Sequence, residues 1–199
     1  MTLYSATLLL FLVMDPLGNV PSFLVVLRNV EAARQRIIIL RELLIALVVL
    51  VLFLFAGELI LKVLQISEPS LTVAGGIILF LIAVRMIFPN PAGLFGEHGE
   101  TIEGEPFIFP LAIPFVAGPS SMATVMLIMS REPGRWPEWL LALGMAWLAS
   151  SVILYFSSQF SRWLGQRGLV AMQRLMGMLL TALAAQMFMS GVSQFVGSL

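Results

Sequence analysis

The residues with the most chemistry in this chain stand where an apolar helix ought to run on unbroken. Met14-Asp15-Pro16-Leu17-Gly18-Asn19-Val20-Pro21 sets a carboxylate, an amide, a glycine and two prolines between the apolar runs 8–13 and 23–27. A second interruption comes at Pro114 and Ala117-Gly118-Pro119-Ser120-Ser121, with Thr124 one turn beyond. Proline removes a backbone donor, and glycine loosens the chain. In lipid, non-helical backbone is tolerated only where protein covers it or where it lines a wet cavity. Each stretch is therefore a packed kink or the wall of a site, and we read both as walls of a site.

Asp15 lies about 12 residues into its span, ~18 Å at ~1.5 Å per residue, close to mid-membrane. A carboxylate at that depth costs at least ~2.5–3.5 kcal/mol on insertion scales. Three jobs would justify it: capping its own broken helix, binding a coupling H⁺ or Na⁺, or receiving a substrate ammonium. Asn19 is placed to cap the half-helix ahead of Pro21, and Gly18 admits backbone geometries closed to other residues. On the second break Gly118 and Pro119 take the cap and first-turn positions, while Ser120, Ser121 and Thr124 offer hydroxyls or small-residue helix packing. A half-helix N-terminus carries about half a positive charge and several unpaired N–H groups. Two of them facing one space would suit an anionic group such as a substrate carboxylate. The substrate-binding set is thus Asp15, Gly18, Asn19, Gly118, Pro119, Ser120, Ser121 and Thr124, with Pro16, Pro21 and Pro114 breaking the helices.

The elements that must position these residues are membrane helices. Of 199 residues 59% are hydrophobic and 11% charged, with a mean hydropathy of +1.00, so the chain is an integral membrane protein of all-α class. The formal net charge is zero and no basic strip is present, so no nucleic-acid partner is implied. Cysteine is absent, and the one histidine, His98, falls in a polar loop. That removes disulfides, thiolate metal sites and Cys nucleophiles. With no second acid clearly in reach of Asp15, an enzyme is not expected; neither is a metal or cofactor beyond the coupling ion.

A helix needs about 20 apolar residues to cross a ~30 Å hydrocarbon core. Six spans meet that rule, at about 3–27, 37–64, 71–88, 107–130, 139–160 and 169–196. The first, with no basic residues ahead of it, is read as a retained helix and not a signal peptide. Pro69 suits the first turn of the third span, Trp136 and Trp139 look like interfacial anchors, and 89–106 is the long polar connection. With the N-terminus outside, Arg28, Arg34, Arg36, Arg41, Arg85, Arg162, Arg167 and Arg174 are cytoplasmic, against Lys62, Arg131 and Arg135 outside. Positive residues favour the inside, so both termini should be periplasmic. Glu58 and Lys62 then form an outer surface ion pair. Arg41 snorkels at the inner interface, and Glu42 beside it either reaches a cavity or does not. Gly75, Gly76 and Gly177 allow close helix approach, and the twelve methionines are packing material.

The chain also repeats itself. Pro16 matches Pro119 and Arg28 matches Arg131 at an offset of 103; Gly76-Ile77-Ile78-Leu79 matches Gly177-Met178-Leu179-Leu180 at 101, which pairs Arg85 with Gln186. Three spans per unit make the halves opposite in orientation, with repeat one about 1–88 and repeat two about 107–199. Inverted three-helix repeats with a broken helix in each are a mark of secondary transporters that bind substrate near the midplane.

The motifs Met14-Asp15-Pro16-Leu17-Gly18-Asn19-Val20-Pro21, Arg41-Glu42-Leu43-Leu44-Ile45-Ala46, the run 75–83, Pro110-Leu111-Ala112-Ile113-Pro114 and Ala117-Gly118-Pro119 resemble the MarC family of bacterial inner-membrane proteins, its YhgN-like branch above all. The resemblance covers nearly the whole chain, and neither break motif departs from it. It implies six transmembrane helices, periplasmic termini, and kinship with LysE-type amino-acid exporters. The expectation is a secondary transporter of small neutral amino acids or related metabolites, with export favoured. Its partners are the bilayer and a small-molecule substrate, and a homo-oligomer is compatible with it. A drug exporter or pore, and a non-transporting membrane scaffold or assembly protein, are the alternatives.

Overall fold

Why so apolar a chain settles into helices is plainest in α3 (Ala32–Leu64). Its inward face carries Leu43, Ala46, Leu50 and Leu54, all buried, while Leu44, Val48, Leu52, Phe55 and Leu59 on other faces are exposed. A helix apolar all round has no wet side, so its outer face must meet lipid. The computed structural model describes residues 1–27, 30–88 and 111–197, apart from the side chains at 25, 32, 33, 58, 114, 160–162 and 166. The expected roles of Arg28, of the 89–106 connection with His98, and of Glu58 toward Lys62 fall outside that description.

Among the described residues there is no strand. The helices are α1 (Leu3–Met14), α2 (Pro16–Val26), α3, α4 (Glu68–Ile87), α5 (Pro119–Arg131), α6 (Trp136–Tyr155) and α7 (Ser157–Val196). Five segments are long and apolar enough to cross a bilayer: Leu3–Leu24, Arg34–Gly57, Glu68–Ile87, Pro133–Tyr155 and Arg167–Val196. The expected span at 107–130 begins outside the described residues. Its helical part, α5, has 13 residues, about 20 Å of helix and short of a ~30 Å core. A half-helix is the result.

Ends of the helices sort onto two faces. On the terminal face the Met1 ammonium lies 2.9 Å from Glu132 Oε1, Arg131 donates to Gln194 Oε1 at 3.2 Å, and Phe55 meets Trp136 at 6.0 Å between ring centroids. On the opposite face Arg36 lies 5.8 Å over the Tyr155 ring, and α4 ends with Arg85 in its last turn. Between the faces α4 and α7 run antiparallel at backbone contact. A Cβ on Gly76 would sit 2.9 Å from Phe188 N, on Gly177 2.9 Å from Ala83 O, and on Gly191 2.9 Å from Val73 N. The small residues are there because no side chain fits.

Some local expectations change. Ser67 caps α4 through Ser70 N, so that helix starts at Glu68 with Pro69 in its first turn. Trp139 is not an interfacial anchor: it is 1% exposed, donates Nε1 to Glu132 O at 2.9 Å, and lies under Arg135 at 4.6 Å. The last helix begins a dozen residues earlier than its apolar run, across a kink at Gly165 (φ 64°, ψ 173°), a conformation open to glycine alone.

Candidate functional site: a cavity between two helix breaks

The first break is one residue wide. Asp15 adopts the left-handed conformation (φ 45°, ψ 58°) and closes α1, its N–H reaching Leu12 O and Phe11 O. The same residue opens α2: its Oδ1 accepts Gly18 N–H at 3.1 Å. Aspartate tolerates this backbone because its short side chain bonds locally, and Pro16 next in line has no N–H to leave unpaired. Gly18 stands in a crowded spot: a Cβ there would overlap both Asp15 Oδ2 and the Met86 methyl, so those side chains would have to move.

Residues 111–116 make the second break, a widened turn with Ala117 N bonded five residues back to Ala112 O at 2.9 Å. Ile113 is extended (φ −125°, ψ 127°) because the ring of Pro114 disfavours a helical residue before it. Gly118 then stands as N-cap of α5 with Pro119 in the first turn. Ser121 Oγ returns to Val116 O at 3.2 Å, and Thr124 Oγ1 to Ser120 O at 2.7 Å. The first-turn N–H groups of Ser120 and Ser121 have no intrahelical acceptor by the geometry of a helix start.

Asn19 ties the breaks together. Its Nδ2 donates to Met14 O at 3.0 Å and to Phe115 O at 2.8 Å. It sits inside α2, whose cap is Asp15, and both its amide hydrogens are taken by backbone.

A cavity of about 350 Å³ opens where the breaks meet. Asp15, Gly18 and Asn19 form one wall; Gly118, Pro119, Ser120 and Ser121 form another. Two long helices close it, α4 through Arg85 and Met86, and α7 through Gln173 and Leu180. Asp15 is 6% exposed and Ser120 3%, so the polar groups are held in protein and aimed inward. Arg85 makes no ion pair or hydrogen bond to any other described residue. Around the space therefore stand one buried carboxylate, the exposed Arg85 and a helix N-terminus, among apolar walls.

Of the residues expected at the site, seven are brought together here, and Thr124 is not. It lines a second cavity of about 300 Å³ on the terminal face, with Leu9, Thr72, Gln186 and Ser190. Arg85 and Gln173 were missed. A lone arginine near a helix end reads as an orienting charge, and only its pairing with Gln186 across the repeat set it apart. Glu42 lines neither cavity: it is fully buried, with Oε1 held by Arg41 Nη2 at 2.8 Å and Oε2 without a partner among the described residues.

Comparison with known proteins points one way. Residues 1–196 match the model of the family described as MarC family integral membrane protein. The UPF0056 inner membrane protein YhgN of Escherichia coli (strain K12) is 49% identical over 192 residues, 96% of each chain. A UPF0056 membrane protein of Buchnera aphidicola subsp. Schizaphis graminum is 46% identical over 94% of each chain. One from Chlamydia muridarum is 34% identical over 96% of this chain and 93% of its own. No solved structure matches. With a family model spanning all but the last residues and relatives aligned end to end, the chain belongs to the MarC family of integral membrane proteins.

Proposed function

We propose that the protein is an inner-membrane secondary transporter of small neutral amino acids or related small zwitterions, with export favoured. The observation that carries this reading is the cavity at the two breaks. Asp15 and Arg85 both line this space of about 350 Å³, at the lower end of the ~300–1,000 Å³ usual for small-molecule sites, and that supports a zwitterionic substrate. Asp15 receives the substrate ammonium or a coupling H⁺ or Na⁺. Arg85, with the first-turn amides of Ser120 and Ser121, receives the carboxylate. Met86 and Leu180 leave room for a small apolar side chain.

The architecture we propose is six helices in two inverted repeats. Supporting it, residues 101 positions apart fall on opposite cavities: Gln173, Ile82, Arg85 and Met86 line the one at the breaks, and Thr72, Leu183, Gln186 and Met187 the one on the terminal face. Arg36, Arg41 and Arg85 lie toward the opposite face, which supports a cytoplasmic placement of that face and periplasmic termini. The name of the Escherichia coli relative supports the inner membrane.

Counterflow in proteoliposomes tests the reading, with unlabelled neutral amino acids inside and labelled ones added outside. Wild type should show saturable, stereoselective entry. Asp15→Asn and Arg85→Gln should each raise the half-saturation concentration by about tenfold, the loss of one charge-assisted contact. No entry of any amino acid through folded wild type would refute the substrate and leave the cavity to a scaffold.

A further inference from the structure

The two cavities are built from equivalent positions. On α4 and α7, four pairs separated by 101 residues divide between them, one member in each: Thr72 with Gln173, Ile82 with Leu183, Arg85 with Gln186, Met86 with Met187. The wall between is also shared. One apolar cluster holds Val13, Leu79 and Leu180, which line the cavity at the breaks, together with Leu9, Leu183 and Met187, which line the other. Three of the four exchanges conserve charge and broad character. The fourth does not, because a guanidinium on one side faces an amide on the other.

We infer that Arg85 and Gln186 give the two faces of the protein different affinities for one carboxylate-bearing substrate, and that the terminal-face cavity is its second, weaker station. This rests on the transporter reading above. Arg85 presents a planar fork that matches a carboxylate with two charge-assisted bonds. Gln186 offers an uncharged amide, whose Nε2 donates to Ser190 Oγ at 3.4 Å. The other charged groups lining that cavity have partners: Arg131 donates to Gln194, and Glu132 pairs with Arg135 and the Met1 ammonium. Thr72, Thr124 and Ser190 add hydroxyls there, and the carboxylate in its lining, Glu132, is held by ion pairs where Asp15 at the breaks has none among the described residues. The difference between a charged and a neutral donor is on the order of tenfold in half-saturation. Such asymmetry leaves the end point of passive exchange untouched; it sets the concentration at which each face saturates.

Two measurements test this. The chain has no cysteine, so Ser190→Cys and Gln173→Cys each carry one thiol to probe with a membrane-impermeant maleimide. Modification of the first from one face only and of the second from the other face only is expected; modification of both from the same face overturns the two-station arrangement. Labelled alanine counterflow is then measured with substrate offered to one face at a time. Half-saturation should be about tenfold lower at the Arg85 face, Gln186→Arg should lower it at the terminal face alone, and Arg85→Gln should raise it at the other face alone. Equal wild-type faces, no change in Gln186→Arg, or equal changes at both faces in Arg85→Gln overturn the assignment. If folded wild type moves no amino acid, the transporter reading fails and the affinity assignment with it, while the maleimide pattern still decides the cavities.

Discussion

Asn19 gives both amide hydrogens to carbonyls that the two breaks strip of helical partners, Met14 O and Phe115 O. Its side chain is thus the staple between the breaks. Asn19→Ala removes the amide donor from both carbonyls, at a cost of about 1–3 kcal/mol. A lower melting temperature in detergent is expected, and Asn19→Asp, which keeps the shape without the donors, should not restore it. An unchanged melting temperature in both would show that the staple contributes nothing. For this reason Asp15→Asn and Arg85→Gln are the better probes of binding: each keeps polar atoms in place and removes only charge.

At the scale of elements, the α4–α7 pair depends on glycine wherever backbone meets backbone. Gly76 faces Phe188 N and Ala184 O at 2.9 and 3.0 Å from the position of a Cβ, whereas Gly144 on α6 has nothing within 4 Å. Gly76→Val must push the helices apart and should destabilise by about 1–3 kcal/mol. Gly144→Ala fills open space and gains helix propensity, so its melting temperature should hold or rise. The four swapped residue pairs sit on these two helices, so Gly76→Val should also disturb both cavities together. The reverse ranking of the two variants would remove close packing as the reason for the glycines.

Across the whole molecule, the terminal face is fastened by ions around Glu132, which takes Arg135 Nη1 at 2.6 Å and the Met1 ammonium at 2.9 Å. Hydrogen bonds from Arg135, then from the N-terminus, hold the Glu132 carboxyl below its ordinary 4.5. A carboxyl lowered on folding contributes stability that is complete above pH 4.5 and lost as pH falls through its folded value. Wild type should therefore lose more melting temperature than Glu132→Gln between pH 6 and pH 3, in roughly low salt. The effect is small because the group is exposed to water. Parallel pH curves for the two proteins would show that this fastening carries no stability.

What the sequence determined by itself was the helical, membrane-embedded character, both breaks, and the residues in them. Hydropathy, proline and glycine act locally, over a turn or two, and leave their mark in any single chain. The need for small residues at Gly76 and Gly177 was legible too, because both stand where backbones touch. The closing wall of the cavity was decided by tertiary structure alone. Arg85 and Gln173 lie on helices far along the chain from Asp15, and which face of each helix turns inward depends on how α4 and α7 pack, not on their neighbours in sequence. Asn19 went the same way: a cap by sequence, it became a bridge because Phe115 O, 96 residues distant, is folded against it.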